Sequence, residues 1–345
     1  MFHVGLDLSR NRVDVEALDD AGTVVIRGPW GRDPEALGAL VEELGGCERV
    51  RAVIESMTGA RFVHDVLEAY GWDVLIADAV KVKGLAPLAC KTDRIDAHVL
   101  AELSRRDLVP AIWLPDPETR GARERARFRL HLVKHRTSLK NRVHSTLHNH
   151  GIVSPVSDLF GVTGRDFLAG LELPEPWTST VAASVALIDD LETQIDACEA
   201  ELRRLGATHP YISLLQTVPG IGWTLGYTIA AEIGDITRFE TPTKFIGYTG
   251  LCARVHQSGD TDWRGPITKH GPKYLRWALI EAATHACRHR LYQDRYARIK
   301  ARHGRQRGPK VAQTDLARRL AFAIWHMCTR NQEFAPAGAT CVLAA

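Results

Sequence analysis

Four carboxylates and one hydroxyl stand out by where they fall in the chain. Asp7 closes the run Gly5-Leu6-Asp7, and Glu55 closes the apolar run Ala52-Val53-Ile54-Glu55. Asp93 and Asp96 follow three apart, a spacing that puts both on one face of a helix. An ionised acid at the end of an apolar strand is costly unless water or a cation compensates it. If the four converge, two Mg²⁺ ions about 3.5 to 4 Å apart would relieve their repulsion and clamp the attacking and leaving oxygens of a phosphoryl transfer. Mn²⁺ suits the same oxygen donors. Each acid alone also fits a structural role: Asp7 opening a turn, Glu55 capping the next helix, Asp93 as an N-cap. The hydroxyl is Ser258, in Gln257-Ser258-Gly259, a pair that in a loop is ordinary turn chemistry. Around it cluster Arg254, His256, Arg264, Lys269, His270, Lys273 and Arg276, enough positive charge to hold a phosphate and stabilise charge developing on it. A serine hydroxyl becomes a nucleophile only beside a proton acceptor or a metal.

These residues need elements to hold them. The first thirty or so residues read as three short strands, Phe2 to Leu8, Val13 to Leu18 and Thr23 to Arg27. A helix from Asp33 to Leu44, a buried strand Arg51 to Glu55, a helix from Gly59 to Tyr70, a strand Asp73 to Ala77 and a helix starting near Asp93 follow. The order β-β-β-α-β-α-β-α predicts an α/β layout with antiparallel strands extended by parallel ones and the first strand central. In such a sheet Asp7 and Glu55 point into one crevice. From Phe128, apolar Leu132, Leu139, Val143 and Leu147 recur at helical spacing with basic residues on the other faces. Near Thr180 begins a heptad seam, Ile188, Leu191, Ile195, Cys198, Leu202 and Leu205, flanked by acids and asking for a partner helix from this chain or another copy. Residues 252 to 271 read as a Gly-rich irregular stretch leading into a long helix opened by Pro272. The last residues, from Phe334, read as a frayed tail.

Net charge is only +3, from 44 Lys and Arg against 41 Asp and Glu, but it is unevenly spread. Basic runs from Arg120 to Arg142 and from Arg288 to Arg319 suit a polyanion, because phosphate contacts release counterions; solvated helix faces are the plain alternative. Candidate contacts are Arg125, Arg129, Arg136 and Lys140 in the first run and Arg302 and Arg305 in the second, with Arg254, Lys269, Lys273 and Arg276 near the serine. Pro219-Gly220-Ile221-Gly222 resembles a helix-hairpin-helix loop, where Gly220 and Gly222 would aim backbone N–H groups at phosphate; a tight turn without ligand fits equally. Seven dispersed cysteines without a C-x-x-C pair predict reduced thiols and no zinc site. The fifteen histidines form no H-x-x-x-H array with nearby cysteine or acidic partners and read as solvated or structural. With no apolar run long enough to span a bilayer and no secretion signal, the expected location is the cytoplasm, without membrane partners.

Gly5-Leu6-Asp7, Glu55-Ser56-Met57-Thr58-Gly59 and Lys91-Thr92-Asp93-Arg94-Ile95-Asp96-Ala97 resemble the motifs of IS110-family transposases, called DEDD for their acids. Val218-Pro219-Gly220-Ile221-Gly222, Phe245 to Leu251, and Ser258-Gly259 followed by Gly265 to Gly271 are similar to that family's C-terminal domain, with Pro272 departing from the polar residue expected there. The resemblance implies a RuvC-like, RNase H-type domain over 1–150 with metal ligands Asp7, Glu55, Asp93 and Asp96. It implies a helical coiled-coil connector over 151–206, and over 207–333 a mainly α transposase domain whose catalytic nucleophile is Ser258, with a tail at 334–345. It also implies a bacterial, nucleoid-associated recombinase of donor and target DNA, a noncoding bridge RNA as guide, and a homo-oligomer, dimer to tetramer. A metal-dependent junction-resolving nuclease with water as nucleophile, and a non-catalytic nucleic-acid-binding protein, are the rival readings.

Overall fold

The computed structural model describes residues 1–46, 49–85, 93–259 and 261–335, leaving out the side chains of Asp93 and Arg94. The chain divides into two compact units, Met1–Leu114 and Pro115–Ala345.

In the first unit the strands are β1 (Phe2–Leu8), β2 (Arg12–Leu18), β3 (Val24–Gly31), β4 (Val50–Glu55) and β5 (Asp73–Ala77), and the helices are α1 (Pro34–Glu43), α2 (Ala60–Ala69), α3 (Ala79–Leu85) and α4 (Asp93–Arg105). They form a mixed sheet in the order β3-β2-β1-β4-β5. β1 lies in the centre, antiparallel to β2 and parallel to β4, as the element order predicts. The third strand runs past its expected end at Arg27 because β2 keeps pairing with it as far as Arg12 opposite Gly31.

The strand period of two gives the sheet two unlike faces. Val4, Leu6 and Leu8 alternate outward with Val13, Val15, Ala52, Ile54, Val74 and Ile76 and pack under Leu37, Leu40 and Val41 of α1 and Val63 and Leu67 of α2. The other face carries His3, Gly5, Asp7, Asp14, Glu16 and Glu55 and is covered by α4. Gly5 makes that cover possible: a Cβ there would meet Ala97 O at 1.9 Å and Ala101 N at 2.7 Å.

The second unit is mainly helical: α5 (Pro117–Asn149), α6 (Val162–Ala169), α7 (Trp177–Gly206), α8 (Pro210–Gln216), α9 (Trp223–Ile233), α10 (Pro242–Thr249), strands β6 (Ala253–Ser258) and β7 (Thr261–Ile267), α11 (Lys273–Ala286) and α12 (Gln293–Arg330). The basic helix α5, which closes the N-terminal domain expected over 1–150, lies in this compact unit. It supplies the partner that the heptad seam requires. Arg125, Arg129 and Lys140 pair with Glu201, Glu199 and Glu192, an order that makes α5 and α7 antiparallel. Past the last of these pairs, Val143 and Leu147 pack with Val181 and Ile188.

The expected irregular stretch is a β-hairpin. Its sequence hides the strands because both faces are exposed, so the apolar alternation that reveals β1 or β4 is missing. The helix after Pro272 ends at Ala286, and α12 is itself broken at Gly304, whose φ of 74° and ψ of 175° reverse the chain. A Cβ on Gly308 would lie 2.2 Å from Lys300 O, and Arg295 reaches Asp315 at 2.6 Å, so the two arms of α12 fold back on each other. Arm and hairpin sit on a core built by α8 to α12, with Phe245, Leu275, Leu279, Leu316 and Leu320 fully buried. Cys198, Cys252, Cys287 and Cys328 are free thiols, and burial pushes the Cys328 thiol up to about 12, leaving it inert.

Candidate active site

Pairing of β1 with β4 puts Leu6 opposite Ile54, so Asp7 and Glu55, each one residue further on, stand at matching ends of neighbouring parallel strands and on the same face. Helix α4 runs antiparallel over them. His3 Nδ1 lies 2.9 Å from Ser104 Oγ, and Gly5 abuts Ala97 and Ala101. Two strand residues cover about 6.6 Å and the same length of helix is about four residues, so the next step along β1 brings Asp7 level with the first turns of α4. That stretch holds Asp96 and, in its backbone, Asp93. The side chain of Asp93 lies outside the described residues. Glu55 is half-buried and its carboxylate has no hydrogen-bond partner among the described residues.

Two further acids share the face and were not singled out from sequence. Asp14 is the cross-strand partner of Asp7 and accepts from Arg12 Nε at 3.0 Å. Glu16, opposite Gly5, is clasped by Arg27 at 2.6 Å on both oxygens and by His98 of α4 at 2.7 Å. Burial works to raise the Glu16 pKa, but the hydrogen bonds from Arg27 and His98 outweigh it and hold the carboxyl below its ordinary range. The alternation of acids along β2 carried the signal: Asp14 and Glu16 are two apart, hence on one face.

Among the described residues, the group of three side chains with ligand atoms within 4.8 Å of one another is His64, Asp65 and Glu68. These belong to α2, on the opposite, apolar face of the sheet. His64 already bonds Asp65 at 3.0 Å through Nδ1 and Glu68 at 3.4 Å through Nε2, so both ring nitrogens are occupied by neighbours on its own helix. The histidine reading above missed these acid partners, which the spacing H-D-x-x-E announces.

In the second unit Ser258 ends β6 at the hairpin tip and is exposed. Register places it opposite Thr261 and His256 opposite Trp263, so Ser258, His256 and Trp263 share one face. Among the described residues no group accepts a hydrogen bond from Ser258 Oγ.

The sequence profile of DEDD-type IS110 transposases matches residues 4–152, and the profile for transposases of the IS116/IS110/IS902 family matches residues 212–298. The chain belongs to this transposase family. The transposase of insertion sequence IS1328 from Yersinia enterocolitica is 26% identical over 96% of this chain and 98% of its own length. That of IS1111A from Coxiella burnetii is 22% identical over 96% of this chain and 90% of its own. The protein y4qE of Sinorhizobium fredii, also named as a transposase, is 30% identical over 56% of this chain and 47% of its own.

For an IS110-family transposase the basic residues are the expected DNA contacts, and the fold uses them unequally. Arg125 pairs with Glu201 at 3.1 Å, Arg129 with Glu199 at 2.6 Å, and Arg136 and Lys140 with Glu192 at 3.7 and 3.2 Å. Arg276 donates to Thr249 O at 3.2 Å, closing the end of α10, and burial lowers its pKa. Lys273 lies 5.0 Å over the Tyr274 ring. Arg254, Lys269, Arg302 and Arg305 are exposed and have no acid partner among the described residues. Gly220 is a packing position: a Cβ there would come 2.4 Å from Ala282 O of α11. Gly222 has open space and leaves the first N–H groups of α9 without a side-chain cap. Among the described residues, no helix is long and apolar enough to cross a membrane.

Proposed function

We propose that this transposase cuts and rejoins DNA through Ser258, with Asp7, Glu55, Asp93 and Asp96 holding a pair of Mg²⁺ ions. The observation that carries the reading is the register of β1 and β4, which sets two oxygen-donor acids side by side at the C-terminal ends of these neighbouring strands under α4. An all-oxygen set suits Mg²⁺ or Mn²⁺, and Glu55, half-buried without a hydrogen-bond partner among the described residues, fits a ligand better than a solvated surface acid. Bound there, the ions would neutralise the acids and stabilise charge on the scissile phosphate. Arg12 holds Asp14 beside Asp7, and the Arg27 and His98 clasp keeps Glu16 ionised and seats α4.

In the serine step, Ser258 Oγ forms a bond to phosphorus while the bond to one DNA oxygen breaks. In net terms the serine proton ends on the released DNA hydroxyl, and a second DNA hydroxyl reverses the exchange to rejoin the strands. Exposure at a hairpin tip, with Arg254 and Lys269 nearby in sequence and without acid partners, suits a nucleophile that must reach a polyanion. The mixed sheet is read as RuvC-like, of the RNase H type, and α5 with α7 as the coiled-coil connector. A bridge RNA guide and a dimeric to tetrameric assembly acting on donor and target DNA complete the reading, on family likeness.

Denaturing capture of protein on labelled element-end DNA tests it. A covalent adduct is expected with Mg²⁺, lost in Ser258→Ala, and lost in Asp7→Asn or with EDTA. The absence of a proton acceptor for Ser258 Oγ among the described residues favours one rival, a nuclease that uses water. Cleavage without an adduct, surviving Ser258→Ala, would establish that rival.

A further inference from the structure

Beside the serine-bearing face lies a groove of about 860 Å³ between β7 and the two arms of α12. One wall is aromatic. Trp263 is 53% exposed and its indole lies flat on its own strand, where a Cβ on Gly265 would meet the ring at 2.6 Å. Only glycine leaves room for the ring there. His256 flanks it from β6 with ring centroids 5.5 Å apart, so the indole is propped from two sides.

The opposite wall is cationic. Arg302 comes from the first arm of α12 and Arg307 and Lys310 from the second, brought to one groove by the reversal at Gly304. None of the three has an acid partner among the described residues. The acid that does line the groove, Asp315, is taken up by Arg295 at 2.6 and 2.9 Å. A supported aromatic face opposite unneutralised cations is the arrangement that binds single-stranded nucleic acid: bases stack on the ring while phosphates meet the charges. A duplex keeps its base faces stacked inside and has none to offer Trp263.

We propose that this groove takes an unpaired stretch of DNA next to the phosphate that Ser258 attacks, with a base stacked on Trp263 and the backbone held by Arg302, Arg307 and Lys310. The choice of DNA rests on the reading of Ser258 as nucleophile, since Ser258 and Trp263 share a hairpin face; the stacking itself does not.

Fluorescence anisotropy of the full chain with short labelled oligonucleotides tests both parts, using single-stranded DNA, RNA of the same sequence, and duplex. Trp263→Ala is expected to weaken single-stranded DNA binding about tenfold. Trp263→Phe should recover most of that loss, and duplex binding should change less than about twofold. Far-UV circular dichroism checks that the exposed position leaves the fold intact. An equal loss for duplex and single strand, or no loss, would overturn the groove; a loss confined to RNA would overturn the choice of DNA. An adduct persisting in Ser258→Ala, with the Trp263 effect intact, would sink the nucleophile and spare the groove.

Discussion

Helices α5 and α12 carry basic runs of similar density, and the fold treats them in opposite ways. The α5 run faces the acidic flank of α7 and the end of α9, where its guanidinium groups are consumed in ion pairs. Arg127 grips Glu232 at 2.7 and 3.0 Å, and Arg123 donates to Ala231 O at 2.9 Å and to Glu232 O at 2.6 Å. The first α12 arm and the start of the second meet no such flank. Their cations stay exposed, apart from those tied to Asp315 and to Leu251 O. Charge density along a sequence therefore identifies a helix that needs anions; whether those anions are this chain's own or a nucleic acid's depends on what packs beside it.

The largest effect should come from the deepest of the α5 anchors. Glu232 is fully buried, so Glu232→Ala leaves Arg127 and Arg123 with an uncompensated charge against the core. Removing one member of such a pair costs about 3 kcal/mol or more. Urea unfolding monitored by circular dichroism measures it, and a loss under about 1 kcal/mol would mean that α5 is not held by its charges.

A second measurement separates the two runs by function. For single-stranded DNA each phosphate contact contributes about 0.7 to the slope of log affinity against log salt. Replacing Arg302, Arg307 and Lys310 together by Ala should flatten that slope by about 2. The same change at Arg125, Arg129 and Arg136 should alter it by less than about 0.5. If the α5 variant loses as much slope as the α12 variant, its ion pairs open to DNA and the contrast disappears.

The same logic explains what could be read from sequence. The sheet was legible because Val4, Leu6, Ala52 and Ile54 alternate with Asp7 and Glu55, and a period of two fixes both the core and the acids' common face. The seam Ile188, Ile195 and Leu202 announced a partner helix, and its acids in hindsight name the basic α5. The hairpin was illegible because Val255, Trp263 and Ser258 are all exposed, so no apolar period marks strands held mainly by backbone pairing. The groove was illegible for another reason: it depends on one glycine, Gly304, turning a continuous basic run back on itself. Asp14 and Glu16 were legible by spacing and overlooked beside the more conspicuous ends of the strands.

The finest test concerns pairs within the α5 zipper itself. Arg125 and Glu201 are 44% and 46% exposed, whereas Arg129 and Glu199 are 18% and 23% exposed. Water screens the first pair, so a double-mutant cycle with Arg125→Ala and Glu201→Ala should give a coupling of about 0.2 to 0.5 kcal/mol that fades as salt rises. The second pair, two-pronged through Nε and Nη2 onto one Glu199 oxygen and largely sheltered, should couple toward about 1 kcal/mol and respond less to salt. Equal couplings would mean that shelter does not set the strength of these contacts. Position along the seam would then matter only for register, and the zipper would act as a specificity device for α7 more than as a source of stability.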